Sequence, residues 1–218
     1  MKKLAVTVSL ILVFALACNA QEGMGSSLTG MGLKAGVNFG SFVGSDAGSP
    51  NTRVGFSGGG FLTYTVAREF SIQPELYFTM KGGKRLPNTI DQENWDLNYL
   101  EIPLLFKFNF PTESMVSPSV FAGPQLGFPL SASYNDQDVM DYVKGTEFSL
   151  AFGAGLEYKL RKVSLTFDAR YVLGLTKIIS ATDFNTFYGL SPTDQGYLAA
   201  DPKIRNSNII VMAGINFL

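Results

Sequence analysis

The chain has 218 residues, a formal net charge of −1 and 16% charged residues, well below the roughly 25% of ordinary soluble domains. That charge gives no electrostatic footprint for nucleic acid. The absence of histidine removes Ser-His-Asp chemistry, and with a single cysteine the usual zinc ligand sets are missing too.

Residues 1–20 read as a signal peptide: Lys2 and Lys3 form the positive start, Leu4 to Leu16 the apolar stretch, and Ala17-Cys18-Asn19-Ala20 the small residues for cleavage. Cleavage after Ala20 starts the mature chain at Gln21 and removes the only thiol. The alternative is lipidation at Cys18, although Ala15 stands where a lipobox normally carries Leu. Residues 21–30 are a Gly/Ser-rich leader expected to be flexible. Past residue 20 no apolar stretch nears the roughly 18 residues of a membrane helix, although mean hydropathy is positive at +0.15.

Eight segments of period two follow, each with one apolar face and one small or polar face. The first, about 31–42, sets Leu33, Ala35, Val37 and Phe39 against Gly32, Lys34, Gly36, Asn38 and Gly40. The second, about 54–66, turns out Phe56, Leu62, Tyr64 and Val66. In the third, about 70–81, Phe70, Ile72, Leu76, Phe78 and Met80 alternate with Ser71, Gln73, Glu75, Tyr77 and Lys81. The fourth, about 97–110, alternates Leu100, Ile102, Leu104, Phe106 and Phe108 with Tyr99, Glu101 and Lys107.

The fifth, about 119–131, has Val120, Ala122, Leu126 and Phe128 against Gly123, Gln125 and Gly127. The sixth, about 147–160, has Phe148, Leu150, Phe152, Leu156 and Tyr158 against Ser149, Gly153, Gly155 and Glu157. After a tight turn at Arg161-Lys162 the seventh, about 163–175, alternates Val163, Leu165, Phe167, Ala169 and Tyr171 with Ser164, Thr166, Asp168 and Arg170. The eighth, about 206–218, carries Ile209, Val211, Ala213, Ile215 and Phe217 on one face.

The gaps between segments run roughly 11, 3, 15, 8, 15, 2 and 30 residues, alternating long and short. That alternation predicts an all-β fold, an eight-stranded antiparallel up-and-down transmembrane β-barrel over 31–218, in a bacterial outer membrane. Both termini are then periplasmic and the long loops extracellular. A soluble lipocalin-like barrel shares the strand count but inverts the faces. Against it, the charged strand residues share the glycine face, and the outward aromatics fall into two bands. Tyr64, Phe70, Phe108, Tyr158 and Phe217 form one band; Phe39, Phe56, Phe78, Phe128, Phe148 and Tyr171 form the other.

The segments QPELYF, NYLEIPLLFKF, VFAGPQLGF, FGAGLEY and FDARYVLGLT together resemble the PorT-like outer-membrane β-barrel family. The resemblance spans about 31–218 and implies an eight-stranded barrel of a Gram-negative envelope, without a fixed reaction or ligand. One branch is associated with a protein secretion system, which these motifs do not single out. Such barrels commonly end in an aromatic residue used in assembly; here Phe217 is penultimate and Leu218 last.

The inward ionisable set is Lys34, Glu75, Glu101, Lys107, Glu157, Asp168 and Arg170. The tight turn places Gly155 opposite Asp168 and Gly153 opposite Arg170, leaving room for the charged chains to cross the lumen. A salt-bridge network is the expectation, because an unpaired buried charge costs several kcal/mol; a gated ion path is the alternative. Asn135, Asp136, Asp138 and Asp141 loosely resemble an oxygen cage for calcium, but lack the glycine and terminal glutamate of an EF-hand loop, so a solvated loop is the expectation. Gly58-Gly59-Gly60 and Gly153-Ala154-Gly155 lead into no helix, so neither is a phosphate loop.

No catalytic residue, metal site or cofactor is expected, although a histidine-free site using lysine or paired carboxylates remains a rival. Inward Phe61, Tyr77, Tyr99, Phe121 and Met212 add bulk that argues against a pore. The longest gap, about 176–205, holds Phe184, Phe187, Tyr188 and Tyr197, which suit partner anchoring or packing over the barrel mouth. The expected contacts are outer-membrane lipid and an envelope or extracellular protein. The expected role is structural or surface interaction, with a small gated channel or an accessory of an export machine as alternatives.

Overall fold

The computed structural model describes residues 27–44, 51–84, 94–134, 137–177, 181–187, 189, 191 and 203–217. The readings of residues 1–26, including the fate of Cys18, lie outside them, as do Asn135, Asp136, Tyr188 and Tyr197. Eight long strands form the wall: β1 (Ser27–Val43), β2 (Asn51–Thr65), β3 (Phe70–Lys84), β4 (Asn94–Asn109), β5 (Val116–Tyr134), β6 (Glu147–Lys159), β7 (Val163–Gly174) and β8 (Arg205–Phe217).

Each strand pairs antiparallel with its successor, and β8 returns to β1 with Gly214 opposite Lys34 and Val211 opposite Val37. The sheet is therefore a closed up-and-down barrel without a free edge. A two-residue ribbon, Gln137–Asp138, and a 3₁₀ turn, Met140–Tyr142, decorate the β5–β6 connection; a short helix, Ala181–Phe187, lies in the last long one.

The strands run beyond the segments legible in the sequence. Residues 27–30, expected in the leader, begin β1, where Ser27 pairs with Thr65 and Leu28 with Tyr64. Backbone pairing continues for as long as a neighbour is present, whereas the side-chain alternation fades toward the rims.

The two faces separate cleanly. Lys34 is 3% exposed and its neighbour Leu33 63%; Glu75 is 3% exposed and Phe106 55%. Leu62 alone breaks the expected order: it shares the outward parity of Phe56 and Tyr64 yet is buried, opposite Met31. Apolar side chains thus face out and charged ones face in, the reverse of a water-soluble barrel. On the outer wall Phe70 stacks edge-on against Phe108 at 5.0 Å and Phe108 against Phe110 at 5.1 Å, near the short turns. Phe152 meets Tyr171 at 5.3 Å on the same wall.

Proline in a fully paired strand removes a ladder hydrogen bond, and the registers show the consequence. Pairing of β3 with β4 runs to Pro74 opposite Leu104 and resumes at Tyr77 opposite Glu101. Pairing of β4 with β5 breaks after Pro103 opposite Gln125, beside Pro124, and resumes at Phe106 opposite Ala122.

Candidate functional site

The lumen is built from the inward positions of all eight strands, stacked from the short turns toward the long connections. Gly153 lies opposite Arg170 and Gly155 opposite Asp168, as the tight turn required. A Cβ on Gly153 would sit 2.8 Å from the Arg170 Cα and 2.9 Å from the Phe121 ring; one on Gly155 would sit 2.6 Å from Asp168 Oδ1. The two glycines let the neighbouring strand and the Asp168 carboxylate approach closely.

Four residues of the sequence-derived set meet in one cluster. Arg170 donates to both Glu75 oxygens, at 2.5 Å and 3.2 Å, and to Asp168 at 3.2 Å. Lys34 donates to Asp168 and lies 3.7 Å from Glu75. Gln73 donates to Glu75 at 2.6 Å. With two cations and two carboxylates the cluster is neutral. The Arg170 guanidinium also lies 5.5 Å from the Tyr77 ring and 5.3 Å from that of Phe121.

Glu101 does not join them. It is held by Lys81 at 2.6 Å and by the Gln125 amide at 2.6 Å. Lys81 also reaches Glu147 at 2.9 Å, and Glu147 accepts from Ser149 at 2.9 Å and from Asn206. Tyr77, Leu105, Phe121, Ala151, Val172, Ile210 and Met212 form an apolar layer in the lumen, with the Tyr77 and Phe121 rings against Arg170.

Lys81 and Glu147 are lumen residues that the sequence-derived set omits. The signal was present, because Lys81 shares the parity of Glu75 and Glu147 that of Ser149, but both lie at the limits of their period-two segments.

Lys107 and Glu157 also stand apart, near the short turns. Glu157 accepts from Asn216 at 3.1 Å, while Lys107, 9% exposed, has no hydrogen-bond or ion-pair partner among the described residues. The expected single network is thus divided: one cluster around Arg170, one around Lys81, and Lys107 and Glu157 bonded to neither.

Toward the long-connection end a second apolar layer packs in the lumen: Phe42, Leu97, Tyr99, Ala132, Val139, Val143 and Ile204, with Tyr134, Met140 and Tyr142 against it. Part of the β5–β6 connection therefore folds inward as a plug. Asp138 Oδ1 accepts from the Met140 amide at 2.9 Å, a turn-forming bond. Phe184 and Phe187 fall on the short helix of the β7–β8 connection, whose Asn185 is buried. Among the described residues no group of three His, Cys, Asp or Glu side chains is placed to hold a metal ion.

A closed eight-stranded barrel with an apolar, aromatic-bearing outer wall and a packed, charge-paired lumen is an integral membrane barrel of the bacterial outer membrane. Residues 19–180 match the outer membrane protein beta-barrel domain, and the chain belongs to that family. Its fold is similar to that of Neisserial surface protein A, at a TM-score of 0.55 and 17% identity, covering 88% of this chain and 98% of that one. It is likewise similar to OprG of Pseudomonas aeruginosa, at a TM-score of 0.51 and 12% identity, covering 89% and 98%. No curated protein matches the chain in sequence.

Proposed function

We propose that the protein is a non-enzymatic outer-membrane barrel with a structural or surface-interaction role carried by its long connections. The supporting observation is the lumen: among the described residues two apolar layers, one around Tyr77 and Phe121 and one around Leu97 and Ile204, pack inside it, which argues against a water-filled pore. Function then concentrates where a rigid scaffold presents variable chain. In this reading the signal peptide is residues 1–20, both termini are periplasmic, and the long connections, with Phe184, Phe187, Tyr188 and Tyr197, face outward toward an envelope or extracellular protein. The motifs QPELYF and NYLEIPLLFKF favour a PorT-like affiliation.

Deletion of 180–200 tests the loop role. Crosslinking and pull-down from intact outer membranes should lose the wild-type partner, while the deleted protein still folds. Large, stable single-channel currents from purified protein in planar bilayers would instead favour the gated channel.

A further inference from the structure

At the short-turn end the lumen opens into a cavity of about 380 Å³. Its wall holds four cations, Lys34, Arg68, Lys107 and Lys159, against one carboxylate, Glu157. Lys34 is engaged with Asp168 and Glu75, and Glu157 is engaged with Asn216. Arg68 and Lys159 are exposed at the rim. That leaves Lys107, more than nine-tenths buried and lining the cavity without a partner.

Two further residues lining the same space each hold a buried polar atom without a partner among the described residues: the Thr166 hydroxyl and the Asn216 carbonyl oxygen. Buried polar atoms are ordinarily satisfied, and a buried charge is ordinarily paired. An ammonium, a hydroxyl and a carbonyl oxygen left unpaired around one cavity describe the complement of a particular group. It has several acceptor oxygens, carries negative charge and bears a hydroxyl donor.

We propose that this vestibule binds a phosphate group, with Lys107 as its counter-ion, Thr166 donating to a phosphate oxygen and the Asn216 carbonyl accepting from a hydroxyl. Arg68 and Lys159 at the rim draw the anion in. Two sources supply that chemistry: free hydrogen phosphate, or the headgroup of a phospholipid whose glycerol carries hydroxyls. Neither requires the long connections, so this site is independent of any surface role.

The test is calorimetric titration of the folded, detergent-solubilised barrel with inorganic phosphate at constant ionic strength. Saturable binding is expected, weakened by at least about tenfold in Lys107→Met, retained in Lys107→Arg and reduced less by Arg68→Gln. Equal binding by wild type and Lys107→Met, or no saturable binding by wild type, overturns the proposal.

Repeating the titration in phosphatidylcholine bilayers with and without phosphatidylglycerol separates the sources. Loss of phosphate binding when phosphatidylglycerol is present assigns the site to the headgroup; unchanged binding assigns it to the free ion. If Lys107→Met fails to fold, Thr166→Val and phosphate protection of wild-type Lys107 from acylation, mapped by peptide mass spectrometry, replace it. Absence of protection then counts against the site.

Discussion

Replacing Arg170 with alanine is expected to be among the most damaging single changes in the lumen. The side chains of Arg170 and Glu75 are 1% and 0% exposed, so water cannot take over the lost contacts. Removal deletes both bonds to Glu75 and the bond to Asp168, leaving Lys34 to balance two carboxylates. Breaking a buried ion pair on one side costs about 3–5 kcal/mol. With a urea dependence of about 2 kcal/mol per molar, the unfolding midpoint should fall by about 1.5–2.5 M.

Far-ultraviolet circular dichroism of the eight strands follows the transition. Ser149→Ala is the control: it removes one hydrogen bond to Glu147, which keeps Lys81 and Asn206, a loss of about 1 kcal/mol. A cycle through Glu75→Gln should recover about 2 kcal/mol of coupling with Arg170. If Arg170→Ala and Ser149→Ala shift the midpoint equally, the ion-pair account of the lumen is wrong.

The outward row of Leu33, Phe106, Leu156 and Val211 should make extraction depend on detergent, with different gel mobility before and after boiling; a soluble monomer would contradict it. Lys81→Met leaves Glu101 and Glu147 facing each other without a cation, and is expected to cost about 3–5 kcal/mol by urea titration, while Lys81→Arg costs much less. Gly153→Val drives side-chain atoms into the β7 backbone and Phe121, and should lower stability by about 3 kcal/mol. The neighbouring Ala154→Val points outward and should stay within about 0.5 kcal/mol; equal effects of the two would refute the close-approach argument.

Much of the barrel was legible in the chain because a strand has a period of two. The number of strands, the outward Leu33 and inward Lys34, and the long and short connections all follow from local alternation. The pairing of Gly153 with Arg170 also followed, since a tight turn fixes the register of the two strands it joins.

Which charges meet across the lumen did not follow. Glu75 reaches Arg170 from a strand 95 residues away, and Lys81 reaches Glu147 across 66. Such neighbours are set by the tilt and stagger of the closed wall, which no single segment encodes. The same holds for the plug of Leu97, Val139 and Ile204, drawn from strand and connection alike. Only the closed structure gives Glu101 to Lys81 and Glu75 to Arg170, and leaves Lys107 without an ion pair among the described residues.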